Sequence, residues 1–149
     1  MERKVVKFFN DPGFGFKVKI LNAPMVKLRG EWVLDLDQNK LQISLLEALA
    51  HKPFRLTGNE IRFIRNYFEL TLKGLGERFD ISHVAVLKWE KSGNRGTDMN
   101  WPTEKDIRLF IISKIQKKPE MLLLIYRELE AVIQTTKMIP VEVDAKKVA

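Results

Sequence analysis

The chain has 149 residues, 45% of them hydrophobic, which is enough to build the core of one ordinary domain or of two small ones. It has no cysteine, which excludes disulfides, thiolate zinc sites and catalysis by a nucleophilic thiol. The formal charge of +7 favours a polyanionic partner only weakly, because residues 57–93 carry six Lys or Arg against five Asp or Glu.

The first residues lack the apolar run of a secretion signal, and no stretch of the sequence approaches the length needed to cross a bilayer. We therefore expect a cytoplasmic, bacterial protein with no membrane partner.

Short strands are predicted for the first part of the chain. Val5 to Phe9 and Phe14 to Ile20 flank the turn at residues 10–13 and form a hairpin, and Met25 to Arg29 and Trp32 to Leu36 add two more strands. The side chains expected on the buried face are Phe14, Phe16, Val18, Trp32 and Leu34.

Helical spacing begins at residue 38 and continues to residue 51. Thr57 and Glu60 form a capping-box pattern that starts a second helix, and Trp101 begins a later one. Pro119 opens a last helix, whose apolar stripe runs on to Ile133. That stripe either pairs with a second copy of the chain or closes over the core of its own chain.

The predicted class is α+β: a small N-terminal antiparallel sheet with a helix, followed by an all-helical domain. We expect an N-terminal β-rich domain over residues 1–54 and a helical domain over 55–137. Residues 138–149 have little periodicity and are expected to form a mobile tail.

A helix-turn-helix motif is predicted between residues 71 and 91. Thr71 to Phe79 has the pattern of a short helix, Asp80 and Ile81 form a tight turn, and Ser82 caps a second helix. Gly76 lies where the two helices would cross. The apolar residues that would hold the pair together are Leu75, Ile81 and Val86. Such a pair can place the first turn of its second helix in a DNA major groove.

The predicted DNA-binding residues are Thr71, Lys73, Ser82, His83, Val84, Ala85, Lys88, Lys91, Asn94 and Arg95. Lys88 suits guanine acceptors, and Val84 or Ala85 suits a thymine methyl group, because these are the groups that bases present in the major groove. Alternatively, Lys88 contacts only phosphate and Val84 only packs. The residues that would flank the groove are Lys73, Lys91, Asn94 and Arg95. Each of them is either a phosphate contact or an ordinary solvated side chain, and Thr71 is either a phosphate contact or a simple cap.

Other polar and aromatic residues have simpler interpretations. Trp89 is expected to fill space in the core, and Glu90 to cap or pair locally. His51 and His83 are distant in sequence and have no third ligand nearby, so no metal site is predicted. The acidic residues Glu31, Asp35 and Asp37 could serve a hydrolase, but a solvated strand face explains them better. We predict neither an enzyme nor a cofactor.

Residues 70–93 resemble the lambda-repressor/Cro-type (XRE) helix-turn-helix family, on Leu75-Gly76, Ile81-Ser82, Val86, Trp89-Glu90 and Gly93. Two positions depart from the family pattern. Leu72 stands where a phosphate-binding Gln is frequent, and Asp80 stands where Gly is frequent. Asp tolerates the left-handed backbone that this turn would need.

A longer stretch, from about residue 30 to residue 115, resembles the MqsA or YgiT-type antitoxins, on Gly30-Glu31, on Leu49 to Pro53 and on Arg55 to Arg65. In that group a Cys-x-x-Cys zinc pair precedes the Gly-Glu step, and here Val26 and Arg29 occupy those positions. The resemblance implies a homodimeric repressor that binds a palindromic operator in its own promoter and whose N-terminal domain grips a toxin. It also places Val84 and Lys88 where that group reads bases.

Two alternatives stay open. The chain could be a protein-interaction module in which the sheet or the 119–134 helix binds a partner and the helix-turn-helix is only a scaffold. It could also be a free-standing, phage-like repressor with no toxin.

Overall fold

The computed structural model describes residues 1–116 and 118–148. Strands lie near both ends of the chain, and the α-helices lie between them. They are β1 (Arg3–Asp11), β2 (Val18–Leu28), β3 (Glu31–Leu34), α1 (Gln38–Ala50), β4 (Phe54–Arg55), α2 (Gly58–Tyr67), α3 (Leu72–Arg78), α4 (His83–Lys91), α5 (Trp101–Ile115), α6 (Pro119–Glu130), β5 (Ile133–Thr136) and β6 (Val141–Asp144).

The main sheet is built around β2, the longest strand. β1 pairs antiparallel along one side of β2. On the other side β3 pairs antiparallel with its second half, from Met25 to Leu28, and β6 pairs parallel with its first half, from Val18 to Leu21. An N-terminal sheet followed by several helices confirms the predicted α+β class.

The predicted strands at 14–20 and 25–29 are largely one strand. Asn22 has a positive φ of 52° in the middle of β2, and β1 keeps one register from Arg3 opposite Val26 to Asp11 opposite Val18. A single left-handed residue therefore interrupts the strand without reversing it. Residues 14–17 lie in the connecting loop instead of in a strand, and Gly15 at φ 85° turns the chain there.

The last helix is shorter than its apolar stripe predicts. α6 ends at Glu130, and the chain continues as β5, which pairs parallel with β4. Residues 133–136 include β-branched Ile133 and two threonines, which favour a strand, and the Ile133 amide donates to the Pro53 carbonyl at 2.9 Å.

The expectation of a mobile tail is wrong for residues 141–148. β6 buries Val141 and Val143 against α1, and the short 3-10 helix Ala145–Lys147 follows it. The Asn22 side chain donates to Asp144 at 3.0 Å, which ties this segment to the middle of β2. The final residue of the predicted tail, Ala149, lies outside the described residues.

One cluster of buried side chains extends from the sheet through α1 into the helix-turn-helix. The leucines of α1 at positions 41, 45, 46 and 49 are fully buried at its centre. Of the sheet residues expected in the core, Phe16 and Val18 are buried, whereas Phe14, Trp32 and Leu34 are only half-buried. The stripe of α6 packs within its own chain, where Ile125 and Leu129 are buried.

Arg108 of α5 is fully buried and joins α5 to the segment after α1. Its guanidinium donates to the carbonyl oxygens of Lys52 and Phe54, each at 2.5 Å, and to the Glu104 carboxylate at 2.8 Å. Burial lowers the pKa of Arg108, and the nearby charge of Glu104 opposes that change. Within residues 1–116 and 118–148, no helix combines the length and apolar character that crossing a bilayer requires.

Candidate nucleic-acid interface

The helix-turn-helix lies at the predicted residues, and both of its helices begin at hydroxyl caps. The Thr71 hydroxyl accepts from the Gly74 amide at 2.9 Å, and the Ser82 hydroxyl accepts from the Ala85 amide at 3.2 Å. Each cap satisfies an amide that the first helical turn would otherwise leave unpaired, which confirms that the two helices start at residues 72 and 83.

The crossing between α3 and α4 depends on Gly76 and Asp80. Gly76 is buried, and a Cβ atom there would collide with the Ile81 carbonyl oxygen. The Ile81 amide donates to the Gly76 carbonyl at 2.7 Å, and Asp80 adopts the left-handed backbone at φ 57°. The turn therefore keeps its geometry with Asp in place of Gly, as predicted.

The outer surface of α4 carries most of the predicted base-reading residues. His83, Val84 and Lys88 are exposed, and Val84 has 61% of its surface accessible. Ala85 is only half-buried, so its methyl group offers a smaller surface. Sequence reasoning missed Leu87, which is 36% exposed and lies one turn after Val84 on the same face. Its i+3 spacing from Val84 is the signal that would have found it.

The predicted flanking residues are exposed, but their surroundings differ. Lys73 lies 3.9 Å from Glu77 on the same helix, which offsets part of its charge. The Asn94 side chain accepts from the Asn59 side chain at 3.2 Å. Lys91 and Arg95 are exposed, and the loop that carries Arg95 is held to the start of α2, where the Gly58 amide donates to the Arg95 carbonyl at 3.4 Å.

Glu90 does not pair locally, contrary to our expectation. Its carboxylate is buried and accepts from the Arg65 Nε at 2.6 Å and Nη2 at 2.9 Å, and from the Arg62 Nε at 3.2 Å. The hydrogen bond to Glu90 raises the pKa of Arg65. Glu90 lies one turn after Val86, on the buried side of α4, and this i+4 spacing is the signal in the sequence for a buried carboxylate that needs a cationic partner.

Trp89 is buried at 8% exposure, as predicted for a core residue. Together Trp89 and Glu90 fix the inner side of α4 and leave its outer side free.

The acidic residues considered for a hydrolase have three different environments. Asp35 pairs with Arg3, Asp37 caps α1 by accepting from the Lys40 amide at 2.9 Å, and Glu31 is exposed at the start of β3. His51 hydrogen-bonds Glu128 at 2.5 Å, whereas His83 lies on α4. In the described part of the chain, no group of three His, Asp or Glu side chains is placed to hold a metal ion.

Comparison with known proteins gave no match: no family model, no curated protein and no solved structure corresponds to the chain.

Proposed function

We propose that the protein is a sequence-specific DNA-binding repressor of the XRE helix-turn-helix type and works in the cytoplasm. The observation that carries the proposal is a helix, α4, that is capped by Ser82, fixed on its inner side and exposed at His83, Val84 and Lys88. A recognition helix needs these properties, because it must present side chains to base edges without unfolding or rotating.

Base reading is assigned to Lys88 and Val84, with Leu87 as an added apolar contact. Lys88 would donate to guanine acceptors, and Val84 would contact a thymine methyl group. Phosphate contacts are assigned to Lys91 and Arg95, and to Thr71 and Lys73 at the start of α3. The amides at the start of α4 and the positive end of its dipole favour a phosphate near Ser82.

The binding unit is proposed to be a homodimer on a palindromic operator, with half-sites about 34 Å apart. The biological role is proposed to be the antitoxin of a type II toxin-antitoxin module that represses its own operon, with the N-terminal sheet contacting the toxin. The zinc-bearing part of the MqsA pattern is not carried over. Val26 is a buried sheet residue, and Arg29 occupies a left-handed turn at φ 52°.

The second candidate is a protein-interaction module, and the outer side of α6 favours it. Leu123 is 58% exposed, Leu124 51% and Tyr126 44%, which is an unusual concentration of large apolar side chains on one short helix. Under this second hypothesis the helix-turn-helix would be a scaffold, and the protein would not bind DNA.

The deciding experiment is footprinting and fluorescence anisotropy with DNA from the region upstream of the protein's own gene, at several salt concentrations. The repressor predicts a protected two-fold site and an affinity that exceeds that for shuffled DNA by at least about a thousandfold. Its affinity should also fall as salt rises, because phosphate contacts release counterions. Equal, weak binding to both DNAs with no protected stretch would overturn the proposal in favour of the interaction module.

A further inference from the structure

A cleft of about 460 Å³ lies between the loop that joins β1 to β2, the start of α1 and one side of α2. Its size falls within the range of small-molecule sites, about 300–1,000 Å³. The loop that forms one wall is held in place, because the Asn59 side chain donates to the Gly15 carbonyl at 2.8 Å.

The polar groups of the cleft come mainly from two facing helices. Arg62 and Asn66 lie one turn apart on α2, and Gln38 and Gln42 lie one turn apart on α1. All four can donate hydrogen bonds. The single carboxylate of the lining, Asp11, already accepts from the Gly13 amide at 2.9 Å. Arg62 can only donate, whereas the three amides can donate or accept, so the cleft suits a ligand with one anionic group and further polar atoms.

Aromatic side chains supply the apolar part of the lining. Phe14 and Phe63 meet edge to face with ring centroids 5.7 Å apart, and Tyr67, which also lines the cleft, lies one turn after Phe63 on α2. Their exposed edges and faces can pack against a planar ring.

Arg62 is the one cation of the lining, and it is only loosely engaged. Its side chain is 50% exposed and gives Glu90 a single hydrogen bond, from Nε at 3.2 Å. Its two Nη atoms meet no acceptor within residues 1–116 and 118–148. Because Arg65 alone contacts both oxygens of Glu90, at 2.6 and 2.9 Å, Arg62 can turn to another anion without leaving a buried carboxylate unpaired.

We propose that this cleft binds a small organic anion with a planar unsaturated ring, whose carboxylate or phosphate pairs with the Nη atoms of Arg62. The ring packs against Phe14 and Phe63, and the amides of Gln38, Gln42 and Asn66 bind its remaining polar atoms. Binding draws Arg62 away from Glu90 and so alters the anchoring of α4. The site itself does not depend on DNA binding, whereas this regulatory consequence rests on the proposed function.

Titration calorimetry of the full chain tests the site with two probes, 5′-AMP and 4-hydroxybenzoate. At least one should bind saturably with a Kd below about 1 mM, and adenosine or phenol, which lack the anion, should bind at least tenfold more weakly. Inorganic phosphate alone should also bind more weakly, because it cannot use the aromatic wall. Absence of saturable binding by both probes would overturn the proposal.

Variants locate the binding. Arg62→Gln removes the cation, and Gln42→Glu places a carboxylate in the same cleft without touching Glu90. Both should weaken probe binding at least tenfold, whereas Arg29→Gln, an exposed arginine in the β2–β3 turn, should leave it unchanged. Melting curves show whether each cleft variant folds. If one of them fails to fold, probe binding by the other tests the assignment. Unchanged binding by a folded cleft variant would place the probe elsewhere and sink the assignment.

The proposed coupling between the cleft and α4 is tested separately, by measuring DNA affinity with and without a saturating concentration of the probe. A change of about two- to fivefold, absent in Arg62→Gln, is expected, because Arg62 supplies only one of the three hydrogen bonds to Glu90. Probe binding with unchanged DNA affinity would overturn the coupling alone. Probe binding by a protein that binds no specific DNA would overturn the repressor proposal and leave the site standing.

Discussion

Glu90 of α4 and Arg65 of α2 lie 25 residues apart in the sequence and are joined by two hydrogen bonds on the inner side of the helix-turn-helix. Glu90 is 2% exposed and Arg65 is 16% exposed. The same guanidinium donates from Nη1 to the Leu70 carbonyl at 2.9 Å, just before α3. One arginine thus connects α2, the start of α3 and the end of α4, and sets the position of the outer side of α4.

Replacing Glu90 with alanine should destabilise the protein by about 3 kcal/mol, because it leaves the largely buried Arg65 charge without its partner. Urea unfolding followed by circular dichroism measures the loss. Arg62→Ala is the matched control. Arg62 is half-exposed and supplies only the third hydrogen bond to Glu90, so its loss should stay below about 1 kcal/mol. Equal losses in the two variants would contradict the role given to Arg65.

Gly76→Ala should destabilise the protein by about 2 kcal/mol or more, because the added methyl group would meet the Ile81 carbonyl oxygen, which the backbone of the turn holds in place. Gly74→Ala provides the comparison within the same helix. Its methyl group would come no closer than 3.1 Å to the Thr71 hydroxyl, and helix propensity favours alanine, so stability should change by less than about 1 kcal/mol. An unchanged melting temperature for Gly76→Ala would contradict the close crossing of α3 and α4.

The predictions that depend on interactions between neighbouring residues are correct, whereas those that depend on partners distant in the sequence are wrong. Ser82 and Thr71 could be identified as caps because a cap acts within three residues of itself. β5 and β6 could not be found, since Val141 and Ile133 form strands only where β2 and β4 offer an edge. Glu90 shows the same limit. Its position on α4 predicts burial, but nothing in the local sequence selects Arg65 as its partner.

Acid should weaken the attachment of the C-terminal segment. The Asn22 side chain and the Lys146 amide each donate to the Asp144 carboxylate at 3.0 Å, and the first of these contacts chiefly lowers the pKa of Asp144 below its ordinary value of 3.8. A carboxyl group with a lowered folded-state pKa stabilises the fold fully above pH 3.8. It loses that contribution as the pH falls through the lower, folded value.

NMR titration of the Asp144 carboxyl carbon measures this pKa directly. In Asn22→Gly, which removes the principal donor and tolerates the left-handed backbone at this position, it should rise toward 3.8. Amide exchange at residues 145–148 should quicken over the same pH interval. Titration of Asp144 at or above 3.8 in the unaltered protein would show that the Asn22 contact does not form.

Lys88 and Arg95 should affect DNA binding in different ways if the proposed interface is right. Lys88→Ala should cost about 1–3 kcal/mol on the operator and relax the preference at one base position, because a base contact carries sequence information. Arg95→Ala should weaken binding to all sequences alike and reduce the slope of log K against log salt by about 1, as loss of a phosphate contact does. Lys40→Ala removes the same charge at an exposed position of α1 and controls for net charge. Binding selections over randomised half-sites, repeated at several salt concentrations, separate these effects.

If Lys88→Ala changed only the salt slope and the protein kept its base preference, Lys88 would be a phosphate contact and the reading surface would have to lie elsewhere on α4.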